Sequence, residues 1–341
     1  MKAVGYYQPL PIDNPESLQD IELPAPVAGP RDLLVRVKAV SVNPVDTKVR
    51  KNAAPEAGQA KVLGWDAVGT VEAIGSGVKN FKVGDRVYYA GSIIRPGANA
   101  ELHAVDERIA AIAPKSLDDA QAAALPLTTI TAYELLFDRL QVPKNGSAGG
   151  GGEGQTLLIT GGAGGVGSIL IQLARQLTKL RIVATASRAE TRAWCLELGA
   201  HVVIDHSKPL AAELKAAGIG EVDMVASLTQ TEQHYAQIIE SLKPQGQLAV
   251  IDDMKVLDAM PLKTKCISLH WEMMFARSRF ETPDIAEQGA LLAEVAALVD
   301  AGRIRTTANA SFGTINAANL QRAHALVESG KAQGKVVLAG F

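Results

Sequence analysis

Hydrophobic and polar positions alternate along the first 125 residues, which is the pattern of half-buried β-strands. The segments 33–40, 67–74 and 86–90 show it most clearly and are rich in β-branched residues. Glycine turns at 75–77 and 83–86 separate these segments. Short strands joined by glycine turns predict a small β-barrel or sandwich in this part of the chain.

Helices are predicted to begin near Ser116. Asp118 and Asp119 can cap a helix over 120–124, and a longer helix is predicted over 128–140. The glycine-rich segment 145–154 follows. Its composition is typical of a surface loop, and phosphate binding is the alternative interpretation.

Beyond this loop, predicted strands alternate with predicted helices. This β-α-β order is typical of an α/β domain with a doubly wound parallel sheet. The predicted strands of this series are 156–160, 181–186, 201–205, 222–226 and 247–251, and its predicted helices are 166–177 and 189–198. After the series come a strand-like segment at 266–271, a predicted helix over 285–301 and a closing strand at 335–338.

Composition narrows the class of protein. The 341 residues are enough for about two domains, and a hydrophobic content of 47% excludes a disordered chain. A net charge of −2 gives no electrostatic reason to expect nucleic acid or a membrane surface as partner. Cys195 and Cys266 are too few for a disulfide framework or a four-thiolate zinc site. With no signal-peptide pattern and no long apolar run, we expect a cytoplasmic protein.

The strongest motif lies between a predicted strand and a predicted helix. Gly162, Gly164 and Gly167 form G-x-G-x-x-G, and Gly165 and Val166 complete the turn. Glycine permits the tight turn and the close approach of a pyrophosphate, which the unpaired N–H groups of the helix N-terminus can bind. The motif predicts a dinucleotide site.

The end of the second strand indicates which dinucleotide binds. An NAD site places a carboxylate there to bind the ribose 2′-hydroxyl, whereas this chain places Ser187 and Arg188 there, followed by Arg192. Arginine and serine suit a 2′-phosphate. We therefore predict NADP(H), and the alternative is that both arginines are only solvated residues at a helix start.

Four segments together resemble the zinc-less quinone oxidoreductase branch of the medium-chain dehydrogenase/reductase superfamily. The resemblance covers essentially the whole chain. It implies a GroES-like β-barrel domain formed by 1–126 and 275–341, and a Rossmann NADP-binding domain formed by 127–274. The segments that carry it are 64–69 with Gly75 and Val78 following, 83–87, 128–133 and 161–167.

The same resemblance bears on metal binding. Zinc-dependent relatives hold a cysteine and a histidine where this chain has Ser41 and Trp65, and the structural zinc loop of four cysteines is missing around 91–105. His103 and Asp66 alone do not make a site, because catalytic zinc needs three protein ligands. No zinc is expected.

The resemblance also implies site residues. Asn43 would hydrogen-bond the acceptor oxygen or the cofactor, and Lys48 stands where many relatives have a tyrosine, so that Lys48 or solvent would donate the proton. The alternative is that Asn43 and Asp46 only fix a turn before a short helix. Further cofactor contacts are assigned to Thr129, His206, Leu228 and Ile251. An acceptor pocket is assigned to Trp65, Trp271 and Phe275, and for each of these three aromatic residues the alternative is a core or interface role.

These residues predict hydride transfer from NADPH to a quinone or an α,β-unsaturated carbonyl without a metal. A small-molecule electrophile is the expected partner. Two alternatives stay open: a ketone or aldehyde reductase, and an NADPH-binding protein with little turnover. The segment from Cys266 to Trp271 resembles the edge strand through which family dimers join, so a homodimer is expected.

Overall fold

The computed structural model describes residues 1–147 and 149–341, which divide into two compact units. Unit 1 comprises 1–130 and 275–341, and unit 2 comprises 131–274. The sequence analysis placed the first boundary between 126 and 127. In the structure it falls inside a helix, and the second boundary follows residue 274.

Strands numbered in chain order make up both units. Most strands of unit 1 bury alternate side chains, and most strands of unit 2 bury nearly all of their side chains. They are β1 (Lys2–Tyr6), β2 (Gln19–Glu22), β3 (Asp32–Val42), β4 (Lys61–Val62), β5 (Ala67–Ile74), β6 (Arg86–Tyr89), β7 (Leu102–Asp106), β8 (Ala110–Ile112), β9 (Thr156–Thr160), β10 (Arg181–Thr185), β11 (Val202–Ile204), β12 (Val222–Ser227), β13 (Leu242–Val250), β14 (Ser268–Trp271), β15 (Ala308–Ser311) and β16 (Lys335–Ala339).

Helices connect these strands. A π-helical turn at Leu135–Arg139 extends the third helix, and short 3₁₀ turns lie at Glu107–Ile109 and Gly150–Gly152. The helices are α1 (Pro44–Asn52), α2 (Asp119–Ala123), α3 (Pro126–Glu134), α4 (Gly165–Leu177), α5 (Ala189–Glu197), α6 (Leu210–Ala216), α7 (Thr231–Ser241), α8 (Met260–Lys263), α9 (Ala276–Phe280), α10 (Glu287–Asp300) and α11 (Ala317–Glu328).

Unit 1 is built on β-sheets, as the alternating pattern predicted. Its larger sheet has the order β15-β16-β3-β5-β6-β8, with β7 also paired to β3, and its smaller sheet has the order β2-β1-β4. The long strand β3 is central because it pairs with β16, β5 and β7. Its side chains Leu33, Val35 and Val37 are buried in the core.

Unit 2 contains the predicted doubly wound parallel sheet. Its strand order is β11-β10-β9-β12-β13-β14, and neighbouring strands all run parallel to each other. The chain runs outward from β9 to β11 and then outward in the other direction from β12 to β14. A crevice therefore opens at the carboxyl ends of β9 and β12, where this type of fold binds its ligand.

The glycine-rich loop lies at the amino ends of the strands of this sheet, opposite to the crevice. Lys179 donates its backbone N–H to the Gly151 carbonyl oxygen (2.7 Å), and the loop leads into the amino end of β9. Ala148 lies outside the described residues. Because ligands bind at the carboxyl ends of parallel strands, this position favours the surface-loop interpretation.

Strand β14 forms one edge of the parallel sheet and begins at Ser268, later than predicted, because Cys266 adopts a left-handed conformation (φ +50°). Trp271 and Met273, at and beyond its end, are about half exposed. The predicted homodimer through this segment stays a prediction, which a light-scattering measurement of mass in solution decides. Among the described residues, the helices are all too short or too polar to cross a bilayer.

Candidate functional site

The predicted nucleotide loop joins β9 to α4. Gly161 has a left-handed backbone (φ +68°), Gly164 is the N-cap of α4, and the helix starts at Gly165. A Cβ at Gly162 would lie 2.7 Å from the Cβ of Ala184, and a Cβ at Gly167 would lie 2.5 Å from the Gly161 carbonyl oxygen. Glycine is therefore required at both positions for the helix and strand to approach each other.

Helix α4 presents its N-terminus to the crevice. The first intrahelical bond is donated by Ser168 to Gly164 (2.9 Å), so the N–H groups of Gly165, Val166 and Gly167 precede the helical ladder. Such N–H groups, together with the helix dipole, favour an anion. This geometry fits the pyrophosphate that the motif predicted.

Arg188 and Arg192, which follow β10, differ in their hydrogen-bond partners. Ser187 and Arg188 are exposed, and the Arg188 guanidinium lies 3.1 Å from the Glu190 carboxylate. Arg192 instead donates to the carbonyl oxygens of Ala186 (3.2 Å) and Val203 (2.9 Å). Arg192 therefore fixes the ends of β10 and β11, whereas Arg188 is exposed beyond β10 beside Glu190.

The remaining predicted cofactor residues of unit 2 lie at the same edge. The amide of Leu228 donates to the Thr160 hydroxyl (3.0 Å), and the amide of Ile251 donates to the Ser227 carbonyl oxygen (3.3 Å). Both amides are thus engaged within the sheet. The half-buried ring of His206 lies 6.3 Å from the ring of His234, a residue that the sequence analysis did not single out.

Unit 1 contains a buried polar cluster around Asp66. Its carboxylate accepts hydrogen bonds from the Asn43 amide (2.8 Å), the Lys335 ammonium (2.9 Å) and the Leu127 backbone N–H (2.7 Å). Lys335 also donates to the side-chain oxygen of Asn43 and to the Val42 carbonyl oxygen (3.2 Å). The cluster thereby joins β16, the start of α1 and the start of α3.

A second carboxyl group lies beside this cluster. Asp46 accepts the backbone N–H groups of Asn43 (2.7 Å) and Gly64 (3.0 Å). Burial raises the pKa of Asp46 to about 7, and burial also raises the pKa of Asp66. One cation therefore serves two buried carboxyl groups, and Lys335 favours the ionised form of Asp66 against the effect of burial.

Asn43 is completely buried, and both its amide nitrogen and its side-chain oxygen are held by the cluster. Its backbone N–H donates to the Asp46 carboxylate, so both residues also fix the turn before α1. A contact of Asn43 with the acceptor or the cofactor stays a prediction. Lys48 lies on the exposed face of α1, where its ammonium is accessible to solvent.

The three predicted pocket aromatics belong to different units. Trp65 and Phe275 meet edge to face at 6.0 Å and are both buried, and the Trp65 indole donates to the Ser92 carbonyl oxygen (3.2 Å). Both lie in the core of unit 1, and their part in an acceptor pocket stays a prediction. Trp271 belongs to unit 2 and is exposed at the end of β14.

The donor set does not fit catalytic zinc. A serine and a tryptophan stand at two ligand positions, and the Asp66 carboxylate is bound by an ammonium group. Both ring nitrogens of His103 are engaged, by the Tyr89 hydroxyl (3.1 Å) and the Pro96 carbonyl oxygen (2.9 Å). Burial lowers the pKa of His103 to about 4, so the ring is neutral and satisfied within the core.

Thr129 is one of several buried polar residues of unit 1 that have an unsatisfied side-chain atom, Ser41 and His324 among them. Its hydroxyl is fully buried and has no hydrogen-bond partner among the described residues. It lies on α3, whose first turn Asp66 caps through Leu127. A buried unsatisfied hydroxyl is a candidate ligand contact, which agrees with the predicted role of Thr129.

Comparisons with known proteins give the family context. Residues 198–338 match the family model for zinc-binding dehydrogenases, and residues 29–114 match the model for the alcohol dehydrogenase GroES-like domain. A zinc-type alcohol dehydrogenase-like protein from Staphylococcus aureus (strain MSSA476) is 39% identical, and the alignment covers 99% of both chains.

Solved structures show the same fold. A candidate zinc-dependent alcohol dehydrogenase from Rhizobium etli CFN 42 is 57% identical, covers 100% of this chain and 98% of its own, and has a TM-score of 0.95. The quinone oxidoreductase of Escherichia coli, complexed with NADPH, is 25% identical with a TM-score of 0.83, covering 99% and 100% of the two chains.

Proposed function

Because the chain belongs to the medium-chain dehydrogenase/reductase family and is an NAD(P)-dependent oxidoreductase, we propose that it uses NADPH to reduce a quinone or an α,β-unsaturated carbonyl compound without a metal. The observation that carries the proposal is the carboxyl edge of the parallel sheet. There a glycine loop leads into the start of α4, and Ser187 and Arg188 follow β10 at the position where an NAD site has a carboxylate.

The nature of the acceptor follows from the residues present. Zinc can polarise an alcohol or ketone oxygen, but this chain has serine, tryptophan and an ammonium-bound aspartate at the corresponding positions. An acceptor that is already electron-poor needs no such polarisation. Quinones and enones meet this condition, and the NADPH complex of the Escherichia coli quinone oxidoreductase supports the proposal.

Each group of residues has a distinct task in this proposal. NADPH supplies the hydride when bound. The N–H groups at the start of α4 bind its pyrophosphate, Arg188 binds its 2′-phosphate, and Thr129 offers its unsatisfied hydroxyl to the nicotinamide end. The exposed ammonium of Lys48, or solvent, donates the proton that completes the reduction.

A spectroscopic screen of NADPH oxidation tests the proposal. A quinone, an enone, a simple ketone and an aldehyde are compared as acceptors, with NADPH and NADH, in the presence and absence of a chelator. We expect turnover of the quinone or enone that favours NADPH and is insensitive to the chelator. Faster turnover of the ketone or aldehyde favours the reductase alternative, and tight NADPH binding without turnover favours a binding protein.

Arg188→Ala provides a test of cofactor choice. One charge-assisted hydrogen bond to a phosphate contributes about 1.5–3 kcal/mol, so kcat/KM with NADPH should fall about 10- to 100-fold while kcat/KM with NADH stays unchanged. Arg181→Ala is the matched control, because Arg181 is an exposed arginine at the opposite end of the same strand. An equal loss with both cofactors would contradict the assignment of Arg188.

A further inference from the structure

Glu272 lies at the carboxyl ends of the parallel strands and has no role in the proposed function. Strand pairing places four strand-terminal residues in register across this edge, namely Thr160, Ser227, Val250 and Trp271. The residue after each of them is the first beyond the carboxyl end of its strand. These residues are Gly161, Leu228, Ile251 and Glu272, of which the first opens the nucleotide loop.

Glu272 is held in this row by its backbone and its side chain. Its N–H donates to the Val250 carbonyl oxygen (3.0 Å), which continues the β13–β14 ladder by one residue. Its carboxyl group is completely buried and accepts a hydrogen bond from the Arg139 guanidinium at 2.8 Å. A carboxyl group thus follows directly on β14, inside the half of the sheet that binds the second mononucleotide.

A second carboxyl group meets the first. Glu134, the last residue of α3, is buried and acts electrostatically on Glu272. The Oε1 atom of Glu272 has no hydrogen-bond partner among the described residues, so this oxygen can accept a proton shared with Glu134. Two carboxyl groups can hydrogen-bond each other only when one of them retains a proton. Burial, and next the neighbouring Glu134, raises the pKa of Glu272 to about 9, which is consistent with a proton held between them.

The π-helical turn brings the arginine to this pair. Residues five apart do not share a face of an α-helix, so Arg139 would point away from Glu134 if α3 continued regularly. In the π-helical turn Leu140 donates to the Leu135 carbonyl oxygen, five residues earlier (2.9 Å). Residues five apart then align, and Arg139 lies within electrostatic reach of both glutamates.

Two further titratable groups, Asp138 and His270, interact with the arginine of this triad. Asp138 precedes Arg139 in the π-helical turn and interacts with its guanidinium. His270 lies on β14, where burial and then Arg139 lower its pKa, so it is neutral near pH 7. With Arg139 as the cation, one proton between the two glutamates leaves the triad electrically neutral.

We propose that Glu134, Glu272 and Arg139 are positioning residues, and that the proton shared by the two glutamates fixes the end of β14 in the geometry that binds the nicotinamide end of the cofactor. Loss of that proton leaves two buried negative charges in contact, which repel each other and loosen this edge. The adenosine end, held by the glycine loop and Arg188, does not depend on the triad. This inference rests on the proposed NADPH site.

Titration of cofactor affinity against pH tests the coupling. The dissociation constants of NADPH and of adenosine 2′,5′-bisphosphate, which lacks the nicotinamide end, are measured from pH 7.5 to 10. Between pH 7.5 and 10, we expect the affinity of the native protein for NADPH to fall by a factor about ten times larger than the fall in its affinity for the bisphosphate. Glu272→Gln, whose amide donates to Glu134 as the protonated acid does, should abolish this difference, and Glu134→Gln should act in the same direction.

Glu240→Gln is the matched control, because Glu240 is an exposed glutamate on α7 of the same unit. It should keep the pH dependence of the native protein. If Glu272→Gln and Glu134→Gln also keep that dependence, the shared proton has no role in cofactor binding and the inference is overturned. Failure of the proposed function looks different, because adenosine 2′,5′-bisphosphate then fails to bind at any pH.

Hydrogen exchange gives a readout that needs no cofactor. Amide exchange of residues 268–274 is compared at pH 7 and pH 9.5, corrected for the intrinsic rate. Protection in the native protein should fall about tenfold at the higher pH and stay constant in Glu272→Gln. Equal behaviour of the two proteins would show that the pair does not control this edge.

Discussion

Replacing Lys335 with methionine is expected to lower the free energy of unfolding by about 3–5 kcal/mol, because it leaves a buried carboxylate without its cation. The Lys335 ammonium binds the Asp66 carboxylate at 2.9 Å, and both side chains are buried. The Asp46 carboxyl group lies beside them and gains no compensating cation. Chemical denaturation of the native and variant proteins at pH 8 measures the loss.

The pH dependence identifies the cause of this loss. Burial already raises the pKa of both Asp46 and Asp66. The contribution that these groups make to the free energy of unfolding is therefore complete below their ordinary pKa, and it is lost as the pH rises through the raised pKa. Without Lys335 the carboxyl groups can be buried only by taking up protons, so the loss should be smaller at pH 5 than at pH 8. A loss independent of pH would contradict this explanation.

Lys38→Met is the matched control for Lys335→Met. Lys38 is an exposed lysine on β3, the strand that pairs with β16. Removing its charge should change the free energy of unfolding by no more than about 0.5 kcal/mol. An equal effect of the two substitutions would mean that the buried cluster has no special importance for stability.

The sequence sufficed to predict the parallel sheet and its nucleotide loop, because their signals are local. Runs such as 156–160 and 222–227 are mostly apolar and almost completely buried, as is typical of strands covered on both faces. The spacing of Gly162 and Gly167 reports a close approach between a helix and a strand that are neighbours in the chain. No knowledge of distant contacts was needed.

The polar cluster of unit 1 was outside the reach of such signals. Asn43, Asp66 and Lys335 meet only because β16 returns to pair with β3, with Val336 opposite Val42. Nothing local to Lys335 shows that its charge is buried, since a lysine at the start of a strand is ordinarily exposed. The family resemblance therefore supplied a role for Asn43 without revealing the two partners that occupy its side chain.

Glu272 was missed for a related reason. A single glutamate after an edge strand carries no motif, and its partners Glu134 and Arg139 lie far from it in the chain. The sequence predicted one regular helix over 128–140. Regular helical phase would have placed Glu134 and Arg139 on different faces, so the π-helical turn that brings them together could not be inferred from apolar spacing.

Gly167→Ala is expected to weaken NADPH binding about 10- to 100-fold and to lower the free energy of unfolding by about 1–3 kcal/mol. The added Cβ would lie 2.5 Å from the carbonyl oxygen of Gly161 and 2.6 Å from that of Gly162. Both are backbone atoms, so relief requires the nucleotide loop to move away from α4. Denaturant unfolding and fluorescence titration with NADPH measure the two effects.

Gly164→Ala separates binding from stability at the same loop. Its Cβ would lie 3.4 Å from the Gly161 carbonyl oxygen, and the backbone (φ −72°) accommodates alanine, so stability should change by less than about 1 kcal/mol. A methyl group at the N-cap of α4 nevertheless obstructs the approach of a pyrophosphate, and NADPH affinity should fall about tenfold. Native affinity in this variant would show that the pyrophosphate binds elsewhere.

Gly154→Ala is the matched control for both loop variants. Gly154 has a left-handed backbone (φ +81°) and precedes the amino end of β9. The space around its Cβ position is open. Alanine there should lower the free energy of unfolding by about 1–2 kcal/mol through backbone strain alone. Because this glycine lies at the edge of the sheet opposite to the crevice, NADPH affinity should be native. Loss of affinity in Gly154→Ala would mean that destabilisation by itself impairs binding, and the loop would then need a test at constant stability.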